Sequence, residues 1–391
     1  MVSEDQKSQT KPEPTEYEQF NYVLGTQTFG IKYQFTSKSK LVETAEAILE
    51  MGSNILKCHL GRDVFIRQYS LFKSDDIKSL RDLVQKEPSF VKVLNMPFDF
   101  YMFWVYPFGP DKRYGEVWHG GLDSKEKRTE YQEVYDLACY LLKTFSGSGK
   151  KFYFGHWEGD WTMMDQPYDS KRDASPKNIQ GMIDTLNIRQ KAIEDAKKDT
   201  SHDKVEIYQY TEMNLARKAI AGGVTIANNV LPKVNVDYVS YSAYDSIDPY
   251  YDKSLLLRKR ISKMSKHIKE SLDYIESKLP KKDIPGKRVF IGEYGFPLQN
   301  VKSPETQDHA SRAFARAAME WGCPFVLYWE IYCNENSKGF WLIDDKGKKQ
   351  PIYYTHQDFY KRAKQYVEAY RKKHKKNPTQ EEFLKTAIDW L

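Results

Sequence analysis

Residues 289–297 read VFIGEYGFP, an apolar run that reaches a carboxylate, Glu293, before closing on Tyr294, Gly295, Phe296 and Pro297. A glutamate inside a protein is costly unless it is paired, hydrogen-bonded or solvated. Taken alone, Glu293 reads as a strand-end residue turned to water. Its neighbours along the chain change that reading.

The run belongs to a series. Short segments rich in β-branched and aromatic residues occur at 22–29 (YVLGTQTF), 54–60 (NILKCHL), 89–96 (SFVKVLNM) and 151–158 (KFYFGHWE). Four more follow at 205–212 (VEIYQYTE), 236–244 (VDYVSYSAY), 288–294 (RVFIGEY) and 325–332 (FVLYWEIY). Helical patterns at 39–51, 75–86, 126–145, 175–199, 213–229, 253–279, 304–321 and 355–375 separate or follow them. Ser175-Pro176 and Ser303-Pro304 each place an N-cap before a proline in the first turn. Strand-then-helix alternation repeated eight times predicts a (β/α)₈ TIM barrel, an α/β fold in one domain. A doubly wound open sheet usually carries GxGxxG after its first strand, and GTQTFG at 25–30 lacks that spacing.

The expected organisation is a disordered polar leader at 1–20, the catalytic barrel at 21–376, and a capped helix at 377–391 packed on its outside. The stretch 97–125, rich in Tyr, Trp and Gly, reads as a long loop between the third strand and the third helix, over the barrel mouth.

Composition narrows the function. Of 391 residues, 28 are Tyr, 20 Phe and 8 Trp, a surplus that suits surfaces stacking on ring-shaped ligands. The net charge of +6 gathers in runs such as RKKHKK at 371–376, which read as a solvated helix end. No nucleic-acid motif accompanies them, so no nucleic-acid partner is expected. Cys58, Cys139, Cys323 and Cys333 show no CxxC spacing, and neither a metal nor another cofactor is expected. No apolar stretch reaches 18 residues, so no membrane span is expected. The oligomeric state is left open.

In a barrel, side chains at the C-terminal ends of the strands face the active site. Those ends offer Glu158 on strand 4, Glu212 and Asn214 on strand 5, Tyr244 on strand 6, Glu293 on strand 7, and Trp329 and Glu330 on strand 8. Carboxylates on strands 4 and 7 lie across the mouth from each other, as double-displacement glycoside hydrolysis requires. One attacks the anomeric carbon while the other protonates the leaving oxygen and then deprotonates water.

With its strand order, Glu158 and GEYGFP, the sequence resembles the clan of retaining (β/α)₈ glycosidases that includes cellulases, β-mannanases, β-galactosidases and β-xylosidases. The resemblance covers about 22–375 and assigns no single family. It implies Glu293 as nucleophile, Glu158 as acid/base, Tyr244 as hydrogen-bond donor to the nucleophile, and Trp329 as the floor of the subsite for the reacting sugar. It also implies a hydrolase of oligo- or polysaccharides, secreted, periplasmic or at the cell surface, with a cytoplasmic site left open. One departure stands out: the clan places Asn before the acid/base, where it binds the sugar 2-hydroxyl, and here that position is Trp157.

Glu212 competes for the acid/base role because YTEMN carries a nearby Asn, although strand counting favours Glu158. His59, Asn95, His156 and Glu330 are candidate sugar contacts, each with an ordinary structural role as the alternative. A non-catalytic carbohydrate-binding barrel and a metal-dependent hydrolase using His59, His156 and Glu158 are the competing functions.

Overall fold

The computed structural model describes residues 17–109, 116–165, 169–335 and 338–391. Eight parallel strands close into a barrel in sequence order: β1 (Leu24–Thr28), β2 (Ile55–Gly61), β3 (Phe100–Tyr106), β4 (Lys151–Gly155), β5 (Glu206–Met213), β6 (Tyr238–Ser242), β7 (Val289–Tyr294) and β8 (Val326–Tyr328). Strands covered by helices outside and packed side chains inside are buried on both faces, so they read as nearly continuous apolar runs. The expected (β/α)₈ barrel is the fold observed.

Helices between the strands follow the sequence patterns closely at 40–51, 124–144, 176–199, 257–278, 304–321 and 351–374. Their starts are capped as the sequence suggests. Ser175 accepts from Asn178 N and Ser303 from Thr306 N, each before a first-turn proline. Helix Gln380–Ala387 begins with a Thr379/Glu382 capping box and packs outside the barrel, where Phe383 and Trp390 meet Phe359. No helix among the described residues is long and apolar enough to cross a membrane. Most of the expected leader, residues 1–16, lies outside the described residues, whereas Phe20 already packs against Phe383.

The third strand is a correction. SFVKVLNM at 89–96 contributes to a helix, Pro88–Leu94, and not to a strand. Glu87 caps it by accepting from Phe90 N at 2.9 Å, and Pro88 occupies the first turn, where its missing N–H costs nothing. The strand is FYMFWVY at 100–106, inside the stretch expected to be a loop. The connection from β3 to helix Ser124–Thr144 accordingly starts after Tyr106 and ends at the Asp123/Glu126 capping box, with residues 110–115 outside the described residues. Asn95 is corrected with it. It is an exposed helix cap bonded to Val91 O, ahead of β3 and away from its C-terminal end.

Inside the barrel the side chains form layers. At the bottom, Phe325 meets Phe100, Tyr153 and Phe290 edge-on. Above them lies a polar layer of Lys57, Glu212 and Ser240, all wholly buried. Gly292 passes beside that layer, and a Cβ on it would fall 1.7 Å from Ser240 Oγ. Register shifts between Tyr241 and Ser242, and between Ile291 and Tyr294, break the pairing of β7 with both neighbours at its C-terminal end. Such irregularities re-aim side chains, and here they lie around Glu293.

Candidate active site

Glu158 follows β4 as the N-cap of the short helix Gly159–Thr162. Its backbone has φ 21° and ψ 67°, a region that costs an ordinary residue about 1–3 kcal/mol and is typical of functional positions. Glu293 sits near the end of β7, 3% exposed. Ser242, the last residue of β6, donates from Oγ to Glu158 Oε1 at 2.7 Å and lies 3.5 Å from Glu293 Oε2. Those two legs bound the separation of the two carboxylate oxygens at 6.2 Å.

Both acids open onto one cleft of about 580 Å³. Trp329 is its floor, stacked on Phe29 at 5.6 Å and 11° and followed by Trp104 at 6.1 Å and 28°. Trp157 forms one wall, and Tyr244 with Phe340 another. Gln68, Asn334 and the ion-paired Glu335 and Lys338 supply polar groups toward the rim.

Of the residues expected from sequence, Glu158, Glu293, Trp157, Tyr244 and Trp329 line this cleft. Tyr244 does so without the expected bond: among the described residues its phenol makes no hydrogen bond to Glu293, and the neighbouring hydroxyl is Ser242's. The others face elsewhere. His59 is buried and stacked on Tyr106, with Tyr69 bonded to its backbone N–H. His156 bonds Thr211 Oγ1 at 2.7 Å and packs edge-on against Trp118. Burial pushes both imidazoles down to about 3, so they are neutral at physiological pH. Asn214 is in the wall, its N–H donating to Asp160.

Glu330 is wholly buried, accepting the N–H groups of Phe29 and Asn334 at 2.7 and 2.9 Å. It ties the loop after β1 to the segment after β8. Glu212 lies below the cleft, held by Lys57 at 2.7 Å and Ser240 at 2.6 Å. Neither its burial nor its partners suit an acid that must meet a leaving group. Among the described residues no group of three His, Cys, Asp or Glu side chains could hold a metal ion.

Burial raises the carboxyl of Glu158 to about 8, helped by Glu212 and opposed by the Ser242 hydrogen bond. Burial also pushes Glu293 well above the carboxylate range, and Glu212 adds to the push while Lys57 opposes it. Two acids this close lose their protons in two steps that belong to the pair and not to either residue. Lys57 Nζ is 3.9 Å from Glu293 Oε1 and forms no ion pair with Glu158. Its charge opposes the upward push on Glu293, and more weakly that on Glu158.

Sequence reasoning missed Lys57 and Ser242. Lys57 had a signal, since it interrupts the apolar run NILKCHL on the same face as His59. Ser242 had none, because a serine within a strand is unremarkable.

A pair of raised carboxyls across the mouth of a (β/α)₈ barrel, over an aromatic floor, could act on a flat ring held between them. Solved structures share this fold. A GH5_18 protein from Streptomyces cattleya, in complex with Manb1-4GlcNAc, superposes with a TM-score of 0.57 at 11% identity, covering 87% of this chain and 80% of that one. An exo-beta-1,4-mannosidase from Opitutaceae bacterium strain TAV5 gives 0.55 at 11% identity over 91% and 63%. A GH5-4 broad specificity endoglucanase from Bacteroides salanitronis gives 0.51 at 13% over 93% and 98%. No protein-family model and no curated protein matches the sequence.

Proposed function

We propose that the protein is a retaining glycoside hydrolase that cleaves a β-linked glycan by double displacement. The observation that carries this reading is the bound of 6.2 Å between oxygens of Glu158 and Glu293 at the floor of an aromatic cleft. Direct attack needs carboxyls about 5–5.5 Å apart, whereas an intervening water needs about 6.5–9.5 Å.

In this reading Glu293 attacks the anomeric carbon from one face of the sugar. Glu158, protonated at neutral pH, gives its proton to the departing glycosidic oxygen. A covalent glycosyl-Glu293 ester remains. Glu158, now a carboxylate beside the emptied leaving-group site, deprotonates water, which attacks the same carbon and frees Glu293. Trp329 and Trp104 offer flat apolar faces to the ring. A glycan substrate also suits a secreted, periplasmic or cell-surface protein, and a single catalytic barrel at 21–376 is part of the same proposal.

Stereochemistry tests it. Two inversions give net retention, so the first-formed sugar should keep the anomeric configuration of the cleaved bond, seen by NMR before mutarotation. Glu293→Ala should abolish turnover, and azide should restore a glycosyl azide of inverted configuration. An initially inverted product from the parent protein would overturn the mechanism. Glycan binding with no cleavage across a panel of aryl β-glycosides and polysaccharides would indicate a binding barrel instead.

A further inference from the structure

Glu212 and Lys57 occupy the polar layer beneath the cleft, and the reaction described above uses neither directly. Their contacts nevertheless join the two acids. Glu212 Oε1 accepts the backbone N–H of Glu158 at 3.1 Å. Its Oε2 accepts from Lys57 Nζ and from Ser240 Oγ. Lys57 in turn donates to the carbonyl of Gly292 at 3.0 Å and lies 3.9 Å from Glu293 Oε1. One continuous set of contacts therefore runs from the peptide of Glu158 to the carboxylate of Glu293.

Packing does not explain this set. Barrel interiors are commonly filled by branched apolar side chains. A buried ion pair is often no more stabilising than apolar residues of the same volume. Both side chains are wholly buried, so neither serves solubility. What the pair does supply is a fixed charge beside the nucleophile and a fixed acceptor under the unusual backbone at Glu158.

The charged and titratable groups facing Glu293 come from every side of the barrel. Lys57 is on β2, Glu158 follows β4, Glu212 and Tyr210 are on β5, Tyr244 follows β6 and Glu330 follows β8. Lys57 is the cation that ion-pairs with Glu293 among the described residues. It is held closer to Glu212, at 2.7 Å, which offsets much of its charge.

We propose that Glu212 is a positioning residue: with Lys57 it sets the charge that Glu293 experiences and anchors the peptide that carries Glu158. The proposal rests on the double-displacement reading, and its sign is fixed by electrostatics. Removing the charge of Glu212 leaves Lys57 facing Glu293 alone, which favours the Glu293 anion. Removing Lys57 leaves Glu293 among carboxylates, which disfavours it. Charges within about 4–6 Å move such a midpoint by about 1–3 pH units.

The test uses the full chain and three variants: Glu212→Gln, Lys57→Met and the double variant. The first readout is the acidic limb of kcat/KM on an activated aryl β-glycoside. The second needs no turnover: the pH dependence of labelling of Glu293 by a water-soluble carbodiimide, which reacts through the protonated carboxyl, located by peptide mass spectrometry. Both midpoints should fall by about one pH unit or more in Glu212→Gln, rise by a similar amount in Lys57→Met, and return near the parental value in the double variant. Glu212→Asp, which keeps the charge, should keep the parental midpoint even if Glu212→Gln does not fold. A purely structural role would lower activity or yield without opposite shifts. Shifts in one direction, or none, would overturn the proposal. So would a Glu212→Gln enzyme that retains activity only on substrates with good leaving groups, because Glu212 would then be the acid/base. If the parent protein cleaves no glycoside, the double-displacement reading falls, while the labelling midpoints still decide the link between Glu212 and Glu293.

Discussion

Ser242 shows how much of this site depends on a small group placed between two large ones. Its hydroxyl donates to Glu158, and a hydrogen bond to the charged form lowers a carboxyl's pKa. Removing it should raise Glu158 further above about 8. The sign then follows. In the double-displacement reading Glu158 acts first as an acid, so the alkaline limb of kcat/KM marks its loss of a proton. In Ser242→Ala that limb should move to higher pH by about one unit or less, measured on an aryl β-glycoside. A move to lower pH would mean that Ser242 does not contact Glu158 as described. At this scale the sequence disclosed the two acids, because a carboxylate closing an apolar run is a local anomaly. It disclosed neither Ser242 nor the buried position of Glu212, since both depend on which residue of a neighbouring strand lies alongside.

Strand β7 carries Glu293, and its geometry depends on Gly292. The position is tight because β7 approaches the polar layer there, not because the backbone needs positive φ. In Gly292→Ala the new methyl group would meet Ser240 Oγ at 1.7 Å and Glu212 Oε2 at 2.9 Å. Overpacking of this kind costs about 1–3 kcal/mol and more where neighbours cannot yield. Gly292→Ala should therefore destabilise by about 3 kcal/mol, read from urea unfolding. Ser240→Ala should recover part of that loss in the double variant, since contacting residues are not additive. Full additivity would show that the two do not touch.

Element types were legible where propensity, capping and pattern agreed, as in the helix at 304–321, found at its expected bounds. Three expectations failed. SFVKVLNM holds enough β-branched and aromatic residues to suggest a strand, yet Glu87 and Pro88 are a helix start. FYMFWVY is itself a continuous apolar run, but it is absorbed into the Tyr-, Trp- and Gly-rich stretch 97–125. The single helix expected at 213–229 is two short pieces, Ala216–Ile220 and Ile226–Val230, separated around Gly222 and Gly223.

Across the whole molecule, the buried carboxyl of Glu158 should make stability fall as pH rises toward about 8. Glu158 holds a proton up to about 8 when folded and releases it near 4.3 when unfolded. A group whose folded pKa is raised supports the fold below its unfolded pKa, and that support disappears as pH rises to the folded value. The loss therefore falls between about pH 4.5 and 8. Glu158→Gln removes it, and the variant should be more stable than the parent at pH 7 by about 1–3 kcal/mol, with the gain vanishing near pH 4.5. Denaturant melts at the two pH values would show it, and equal differences at both would exclude a titrating Glu158 as the cause. His59 and His156 act in the opposite direction. They are held neutral to about 3, so the fold weakens as pH drops below about 6.5, where the unfolded chain takes up protons. The barrel itself was legible from strand-and-helix order over most of the chain. The order of its interior layers was not, because it depends on the stagger between strands.

Trp157 carries a consequence for discrimination between epimers. An enzyme that hydrogen-bonds one particular hydroxyl rejects analogues lacking it strongly, because its own buried polar group is left unpaired. An indole beside Glu158 brings a broad apolar face and a single N–H donor in place of an amide. A wall of this kind distinguishes shapes by roughly tenfold to a few hundredfold. In the double-displacement reading, selectivity between equatorial and axial configurations at C2 is then left to steric fit along the ring, and sugars differing only there should be separated by no more than that factor.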